Sequence, residues 1–367
     1  MRLAGAIILL FVGALGRAQI LDRQWARMAP KCSSYTVAPD GRAVVAGDWD
    51  GHVQCMDGSG RVLWRLLFPR EVHCVTSAGA QLTAAYARDV ESYRKVFLLD
   101  GAGRTVHLEN ASGSIRSVAV SEDGHMAAIL SEPGRITVVE RVKGGWRWRR
   151  RLLAGPVASL SMDAAGNRLA VALREPAEVE VLDRNLRLLW RWRGQEQTVY
   201  RVQMDRPGRA LIAAAHPPAG IPHAIFWSVS GSKPLWSHTL RGDLARVMMA
   251  PDGKAATAEY RTRLWHGRRS VVEARVALFS PRGRMLWEVG GLMFGAHLVG
   301  VSRAPLLILT HDGGRVLAAL DGYGHMRARF KLPAGIQSTE VSANGAHFAV
   351  LTDERILYFF RVKTQPG

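Results

Sequence analysis

Few side chains in this chain of 367 residues stand at spacings that support catalysis. Neither the serine-hydrolase elbow Gly-x-Ser-x-Gly nor the zinc-protease motif His-Glu-x-x-His occurs. His216 and His223 flank a proline-rich segment and could converge on a metal, but a solvated loop accounts for them as well. The acidic run at 48–51 is too short to specify a calcium loop. The sequence therefore predicts no catalytic residue, no metal site and no cofactor.

The three cysteines, Cys32, Cys55 and Cys74, are too few and too irregularly spaced for a disulfide framework or a zinc motif. A single bridge between Cys55 and Cys74 and three buried free thiols are both compatible with the sequence.

One segment combines the residue types that dominate protein interfaces. Arginine, tryptophan and tyrosine are enriched at interface hot spots, and they cluster in the longest loop that the sequence predicts. The candidate partner-binding residues are Tyr260, Arg261, Arg263, Trp265, Arg268 and Arg269. A solvated basic hairpin extension is the alternative interpretation. A second basic run, 146–151, alternates tryptophan with arginine and predicts an outer strand with one charged face.

These residues must be positioned by strands, because the chain is a succession of short apolar runs separated by turn signals. The turns Ala38-Pro39-Asp40-Gly41 and Ala250-Pro251-Asp252-Gly253 show the signal most clearly. Proline presets φ and glycine supplies positive φ, which predicts hairpins at these points. Such turns recur at spacings of about 38–52 residues and predict eight units, with seven as the alternative if one unit is misread.

A second register, Asp-x-x-Gly-x-x-x-Trp, recurs within these units. Asp57, Gly60 and Trp64 give its full form, and Ser280, Gly283 and Trp287 repeat it with one change. Fixed-period repetition at this scale indicates an all-β repeat architecture. The last unit has only three predicted strands, so we expect residues 20–28 to supply its outer strand and close the ring, because open edges promote aggregation.

The register resembles the tryptophan-docking repeat of pyrroloquinoline-quinone-type β-propellers, and the Ala-Pro-Asp-Gly turns resemble those of WD-repeat propellers. The first family includes quinoprotein dehydrogenases and the non-enzymatic propeller of the outer-membrane barrel-assembly machinery. The resemblance covers residues 20–362 and implies a single β-propeller of four-stranded blades. The enzymes of that family use adjacent cysteines, which are absent from this sequence.

The resemblance also implies that the repeated tryptophans pack between neighbouring blades, where an indole N–H can reach a backbone carbonyl. The positions that match are Trp25, Trp64, Trp190, Trp236 and Trp287, with Trp146 or Trp148 in the third unit.

The N-terminus has the pattern of an export signal. Arg2 is followed by the uncharged run 3–15, and Gly16-Arg17-Ala18 offers small residues at a cleavage site. We therefore expect residues 1–18 to be a signal peptide or an N-terminal anchor, residues 19–367 to be the propeller, and the protein to be periplasmic, cell-surface or extracellular.

The net charge of +18 arises almost entirely from arginine, since lysine supplies only seven of the 49 basic residues. Such a charge favours a polyanionic partner, whereas a compositional bias toward arginine explains it without one.

Taken with the absent catalytic motifs, these features predict an exported, non-enzymatic scaffold that binds other proteins of a larger assembly. A propeller enzyme of lactonase or quinoprotein type and a binder of anionic polymers or lipids are the alternatives.

Overall fold

The computed structural model describes residues 21–88, 93–111, 113–194, 198–216, 223–266, 269–292, 297–301, 308–311 and 314–362. Within these residues, the strands form eight four-stranded sheets, each with antiparallel neighbours, and each sheet is a blade of one β-propeller. The predicted signal segment, residues 1–18, lies outside the described residues.

The first strand, β1, is Leu21–Met28. Blade 1 contains β2 (Cys32–Val37), β3 (Ala43–Asp48), β4 (His52–Asp57) and β5 (Val62–Leu67). Blade 2 contains β6 (Val72–Thr76), β7 (Leu82–Arg88), β8 (Tyr93–Asp100) and β9 (Thr105–Asn110), with a short 3-10 turn at Ala78–Ala80. Blade 3 contains β10 (Ile115–Val120), β11 (Met126–Ser131), β12 (Arg135–Val142) and β13 (Gly145–Leu152). Blade 4 contains β14 (Val157–Met162), β15 (Arg168–Leu173), β16 (Glu178–Asp183) and β17 (Leu188–Arg193).

Blade 5 contains β18 (Thr198–Met204), β19 (Leu211–His216), β20 (His223–Ser230) and β21 (Lys233–Arg241). Blade 6 contains β22 (Asp243–Met249), β23 (Ala256–His266), β24 (Arg269–Phe279) and β25 (Met285–Leu292). Blade 7 contains β26 (His297–Val301), β27 (Ile308–His311), β28 (Val316–Leu320) and β29 (Met326–Lys331). Blade 8 contains β30 (Ile336–Val341), β31 (His347–Thr352) and β32 (Ile356–Val362), and β1 is its fourth strand.

The blades close into a ring around a central channel. The first strand of each blade from β2 to β26 contacts the first strand of the next blade, and β30 contacts β2. The two ends of the described chain meet in blade 8, where β1 pairs antiparallel with β32 from Leu21↔Val362 to Met28↔Ile356. The predicted role of the N-terminal strand is therefore confirmed for Leu21–Met28.

The core lies between the blades because each sheet buries both of its faces. The second strands are the most deeply buried, and all six residues of β11 are buried. Alanine at 127 and 128 lets neighbouring sheets approach, and Ile129 packs with Leu82 and Val96 of blade 2. Continuous burial explains why these strands are uniformly apolar or small rather than alternating.

The predicted hairpin turns join the first and second strands at one end of the channel. Main-chain bonds also link the turns of consecutive blades: Glu122 N–H donates to Ala164 O, and Ala164 N–H donates to Arg206 O, at 2.8 and 2.9 Å. Arg206 N–H donates to Pro251 O at 2.9 Å. Because proline has no N–H, Pro251 cannot donate the corresponding hydrogen bond to the following blade, and the series of turn-to-turn bonds ends there.

Candidate functional site

Four of the repeated tryptophans lie against a turn glycine of the next blade. The glycines occupy the left-handed region, with φ between +80° and +83°. A Cβ on any of them would stand within 3.1 Å of the indole, so the close approach requires glycine. The pairs are Trp25 with Gly60, Trp64 with Gly103, Trp236 with Gly283, and Trp287 with Gly324.

The indole nitrogens of these tryptophans differ in their partners. Trp236 Nε1 donates to Pro281 O at 3.0 Å, and Trp287 Nε1 donates to Gly322 O at 2.9 Å. The buried Nε1 atoms of Trp25 and Trp64 have no hydrogen-bond partner in the described part of the chain. Trp25 is held instead by stacking on Phe359, with ring centroids 5.3 Å apart.

Trp190 does not share this arrangement. Blade 5 connects β20 to β21 through a shorter turn, and a Cβ on its Gly231 would meet nothing within 4 Å. Trp190 instead packs half-buried against the apolar cluster between blades 4 and 5. In the third unit, Trp146 packs between blades 2 and 3, whereas Trp148 is 54% exposed and stacks on His107. The docking role predicted for Trp190 therefore lacks its partner glycine.

The arginine-rich outer strands pair with buried glutamates. Glu140 accepts hydrogen bonds from Arg147 at 2.8 Å, from Arg149 at 2.9 Å and from Arg184. Burial raises the pKa of Glu140, but these three guanidinium groups outweigh it and lower the pKa to about 2. The remaining pairs are Arg150 with Glu109, Arg151 and Arg191 with Glu180, and Arg191 and Arg193 with Glu178. The charge of these strands is thus largely compensated inside the fold.

The predicted partner-binding loop is mostly strand. β23 and β24 pair from Ala256↔Phe279 to His266↔Arg269, while β22 pairs only as far as Arg261 and β25 only as far as Ala274. Residues 262–266 and 269–273 therefore project beyond the flanking strands as a two-stranded ribbon of about 17 Å. We call these residues the projecting ribbon; Arg268 lies outside the described residues.

The structure places the residues of this predicted binding loop in different environments. Arg261 and Arg263 are exposed, at the base and on the lower part of the ribbon. Trp265 and Arg269 belong to its two strands. Tyr260 is only 4% exposed and its hydroxyl donates to Glu288 Oε2 at 2.5 Å, so it belongs to the core of blade 6 and not to a free surface.

A cavity of about 340 Å³ lies at the end of the channel that carries the first hairpin turns. Glu122 of blade 3 and Arg206 of blade 5 form an ion pair on the wall of this cavity. The pair joins two blades that are separated by blade 4. Glu340 of β30 also lines the cavity and receives a hydrogen bond from the Thr36 hydroxyl at 3.1 Å. Burial raises the pKa of Glu340 to about 7. This end of the channel is therefore a polar chamber with one carboxyl group that titrates near neutrality.

Arg201 of β18 and Arg246 of β22 lie at equivalent places on inner strands below the cavity, and none of the sequence motifs predicts a role for them. Burial lowers the pKa of Arg201, and the like charge of Arg246 lowers it further. Aligning the first strands on their following turns would have revealed both, because serine occupies the same place in several other units.

The thiols do not form a nucleophilic site. Cys32, Cys55 and Cys74 are free and buried. Desolvation raises the pKa of Cys32 and of Cys55 to about 12, so neither is a thiolate near neutrality. Among the described residues, no group of three or more histidine, cysteine or acidic side chains is placed to hold a metal. No helix in the described ranges is long and apolar enough to cross a membrane.

Comparison with known proteins supports the fold and leaves the family open. No family model matches the chain, and no curated protein matches it in sequence. BamB from Moraxella catarrhalis is similar in structure, with a TM-score of 0.66 and 13% identity over 93% of this chain and 99% of that one. The Dos1 propeller has a TM-score of 0.68 and 10% identity, covering 95% and 96%. The propeller domain of Cps50 (Swd1) from Myceliophteria thermophila has a TM-score of 0.57 and 10% identity, covering 94% and 100%.

Proposed function

We propose that this protein is an exported, non-enzymatic β-propeller that acts as a scaffold for other proteins of an envelope or extracellular assembly. The observation that carries the proposal is the projecting ribbon, which extends from blade 6 beyond the last residues that pair with β22 and β25. The proposal that the protein is exported rests on the sequence of residues 1–18. The fold likeness to BamB is consistent with a propeller that serves an assembly.

The ribbon has the properties of a docking element. A two-stranded hairpin is only marginally stable by itself in water. A partner that covers the ribbon would therefore stabilise it. Arg263 is exposed on the ribbon, and Arg261 is exposed at its base. Arginine combines planar, bidentate hydrogen bonding with stacking, which suits it to specific protein contacts.

The ion pairs of the outer strands argue against general polyanion binding as the main function. Arg147, Arg149 and Arg184 share Glu140, and Arg191 bridges Glu178 and Glu180. A guanidinium that neutralises an internal carboxylate contributes little to the counterion release that drives binding to polyanions.

The test is a charge reversal on the ribbon. Arg261, Arg263, Arg268 and Arg269 are changed to Glu in the full chain, and co-purifying proteins from the native source are compared with those of the wild type. The matched controls replace Arg282 and Arg284 by Glu, because these exposed residues lie in the β24–β25 turn of the same blade, at the opposite end.

We expect the ribbon variant to lose its co-purifying proteins while keeping the wild-type unfolding midpoint, and we expect the controls to keep both. Retention of every partner by a folded ribbon variant would show that this face is not the docking surface. A wild-type chain that is a free monomer in a gentle extract would contradict the scaffold function itself.

A further inference from the structure

The inner strands share an irregularity at one fixed place. Within the described residues, a β-bulge interrupts the pairing of the first and second strands in seven blades, one residue before an equivalent position in each. The residues at that position are Ser34, Ser117, Ser159, Arg201, Arg246, Gly300 and Ser338. Bulges re-aim side chains, and here they set a ring of equivalent positions, two of which carry arginine.

Blade 4 illustrates what a hydroxyl does at this position. Ser159 Oγ accepts the backbone N–H of Val202 in blade 5 at 2.8 Å, and Ser161 Oγ accepts that of Met204 at 2.9 Å. Blade 5 repeats only the second contact, since Gln203 Oε1 accepts Met249 N–H of blade 6 at 3.1 Å. These inner-strand acceptors satisfy the free edge of the following blade.

Arg201 occupies the place in blade 5 where an acceptor is needed. Residues two apart in a strand present their N–H groups to the same edge, so Val247 N–H points toward blade 5 as Met249 N–H does. Arg201 is likewise on the same side of β18 as Gln203. A guanidinium has only donors, and it therefore cannot accept the Val247 N–H.

The charge at this position is also uncompensated on its own strand. Within the described ranges, Arg201 makes no hydrogen bond or ion pair, although its side chain is largely withdrawn from solvent. Arg246 stands at the same level in blade 6, with Glu259 directly across the pairing from it. Glu340, whose Oε1 accepts the Thr36 hydroxyl, also lies near Arg246, and the carboxyl groups of Glu122 and Asp163 line the cavity above. Arg201 and the Val247 N–H thus occupy the positions that Ser159 and the Val202 N–H occupy one blade earlier, and an anion placed there would satisfy both.

The cavity at the channel end supplies space for the rest of a ligand. Gln203 lines it, and Arg201 is two residues further along β18, about 7 Å deeper. Its other walls include the apolar side chains Val75, Val120, Met162 and Met248. The cavity therefore presents apolar side chains beside the polar groups Glu122, Asp163, Arg206 and Glu340, above the buried side chain of Arg201.

We propose that the central channel binds a small organic acid, with its carboxylate held by the Arg201 guanidinium and the Val247 N–H and its apolar body in the cavity. The site is independent of the projecting ribbon, which lies at the opposite end of blade 6. No bond is made or broken in the ligand.

The test uses hexanoate as the probe, titrated calorimetrically into the purified propeller at fixed ionic strength in sodium chloride. Arg201→Ser is the main variant, because serine introduces the hydroxyl found at this position in other blades, which can accept the Val247 N–H as Ser159 accepts that of Val202. Loss of a charge-assisted hydrogen bond should weaken hexanoate binding about 10- to 100-fold. Arg209→Ser, at an exposed arginine of the same blade, is the matched control and should bind like the wild type.

The expected result includes an unfolding midpoint for Arg201→Ser at or above that of the wild type without ligand. Equal hexanoate affinity in wild type and Arg201→Ser would overturn the proposal, as would an absence of saturable binding to the wild type. Tighter binding of inorganic phosphate than of hexanoate would overturn the assignment of a carboxylate with an apolar body. If the serine variant fails to fold, Arg201→Lys tests whether the planar, bidentate geometry of the guanidinium is needed. We expect this variant to bind hexanoate more weakly than the wild type.

Discussion

At the scale of single residues, the same side chain has different roles according to what the next blade presents to it. Trp236 and Trp287 lie on left-handed glycines and donate to a carbonyl, whereas Trp190 meets no such glycine. In the turn of blade 4, Leu186 adopts φ +64° and is buried between blades 3 and 4. A leucine side chain therefore fills a place where a docked indole lies in other blades.

The turn glycines predict a clear mutational difference. In Gly283→Ala, the new Cβ would stand 2.4 Å from Trp236 Cγ in a residue with φ +80°. Backbone strain of about 1–2 kcal/mol and overpacking of about 1–3 kcal/mol should add, so we expect a destabilisation of about 2–5 kcal/mol in urea unfolding.

Gly231→Ala is the control for the backbone contribution alone. Its φ is +72°, and the added Cβ would meet nothing within 4 Å. We expect it to cost about 1–2 kcal/mol. Equal destabilisation by the two variants would mean that the tryptophan contact contributes nothing measurable to stability.

At the scale of elements, strand order and turns were accessible from the sequence, but side-chain partners were not. Proline, aspartate and glycine act locally, so turns such as Ala250–Gly253 could be placed without tertiary information. The segment 260–269 was expected to be a loop, yet β-branched and aromatic residues continue two strands through most of it. Arg201 and Glu340 were missed because bulges and inter-blade contacts determine their surroundings.

Glu340 of the inner strand β30 should give the folding stability an unusual dependence on pH. Burial raises the pKa of this carboxyl group to about 7 from an ordinary value of 4.5. Its contribution to stability is therefore complete below pH 4.5 and is lost as pH rises through 7, with a cost of up to about 3 kcal/mol at higher pH. Glu340→Gln should remove that cost and keep an acceptor for the Thr36 hydroxyl.

The measurement is urea unfolding of the wild type and of Glu340→Gln at pH 5 and pH 8. We expect the variant to gain stability relative to the wild type as the pH rises. Glu354→Gln, at an exposed carboxylate in the turn between β31 and β32, is the control and should show no such trend. A stability difference that is the same at both pH values would mean that Glu340 is not protonated on folding.

At the scale of the whole molecule, closure depends on a strand that is distant in sequence from its blade. Local turns and strand patterns define each unit, but the ring is completed only when β1 reaches β32. Trp25 contributes to two junctions, since it stacks on Phe359 within blade 8 and lies against Gly60 of blade 1. The repeat therefore does not make the blades energetically equivalent, because blade 8 alone joins both ends of the described chain.

Deleting residues 1–28 should consequently destabilise the whole ring. The deletion uncovers the paired edge of β32 and removes Trp25, whose truncation by itself would cost about 3–5 kcal/mol. An exposed edge pairs readily with other chains, so we expect oligomers in light scattering and a lower unfolding midpoint. A chain that begins at Gln19 retains β1 and should remain monomeric, and a peptide of residues 20–28 added in trans should restore the monomer. A monomeric deletion variant with the wild-type midpoint would show that the other blades hold the ring closed without this strand.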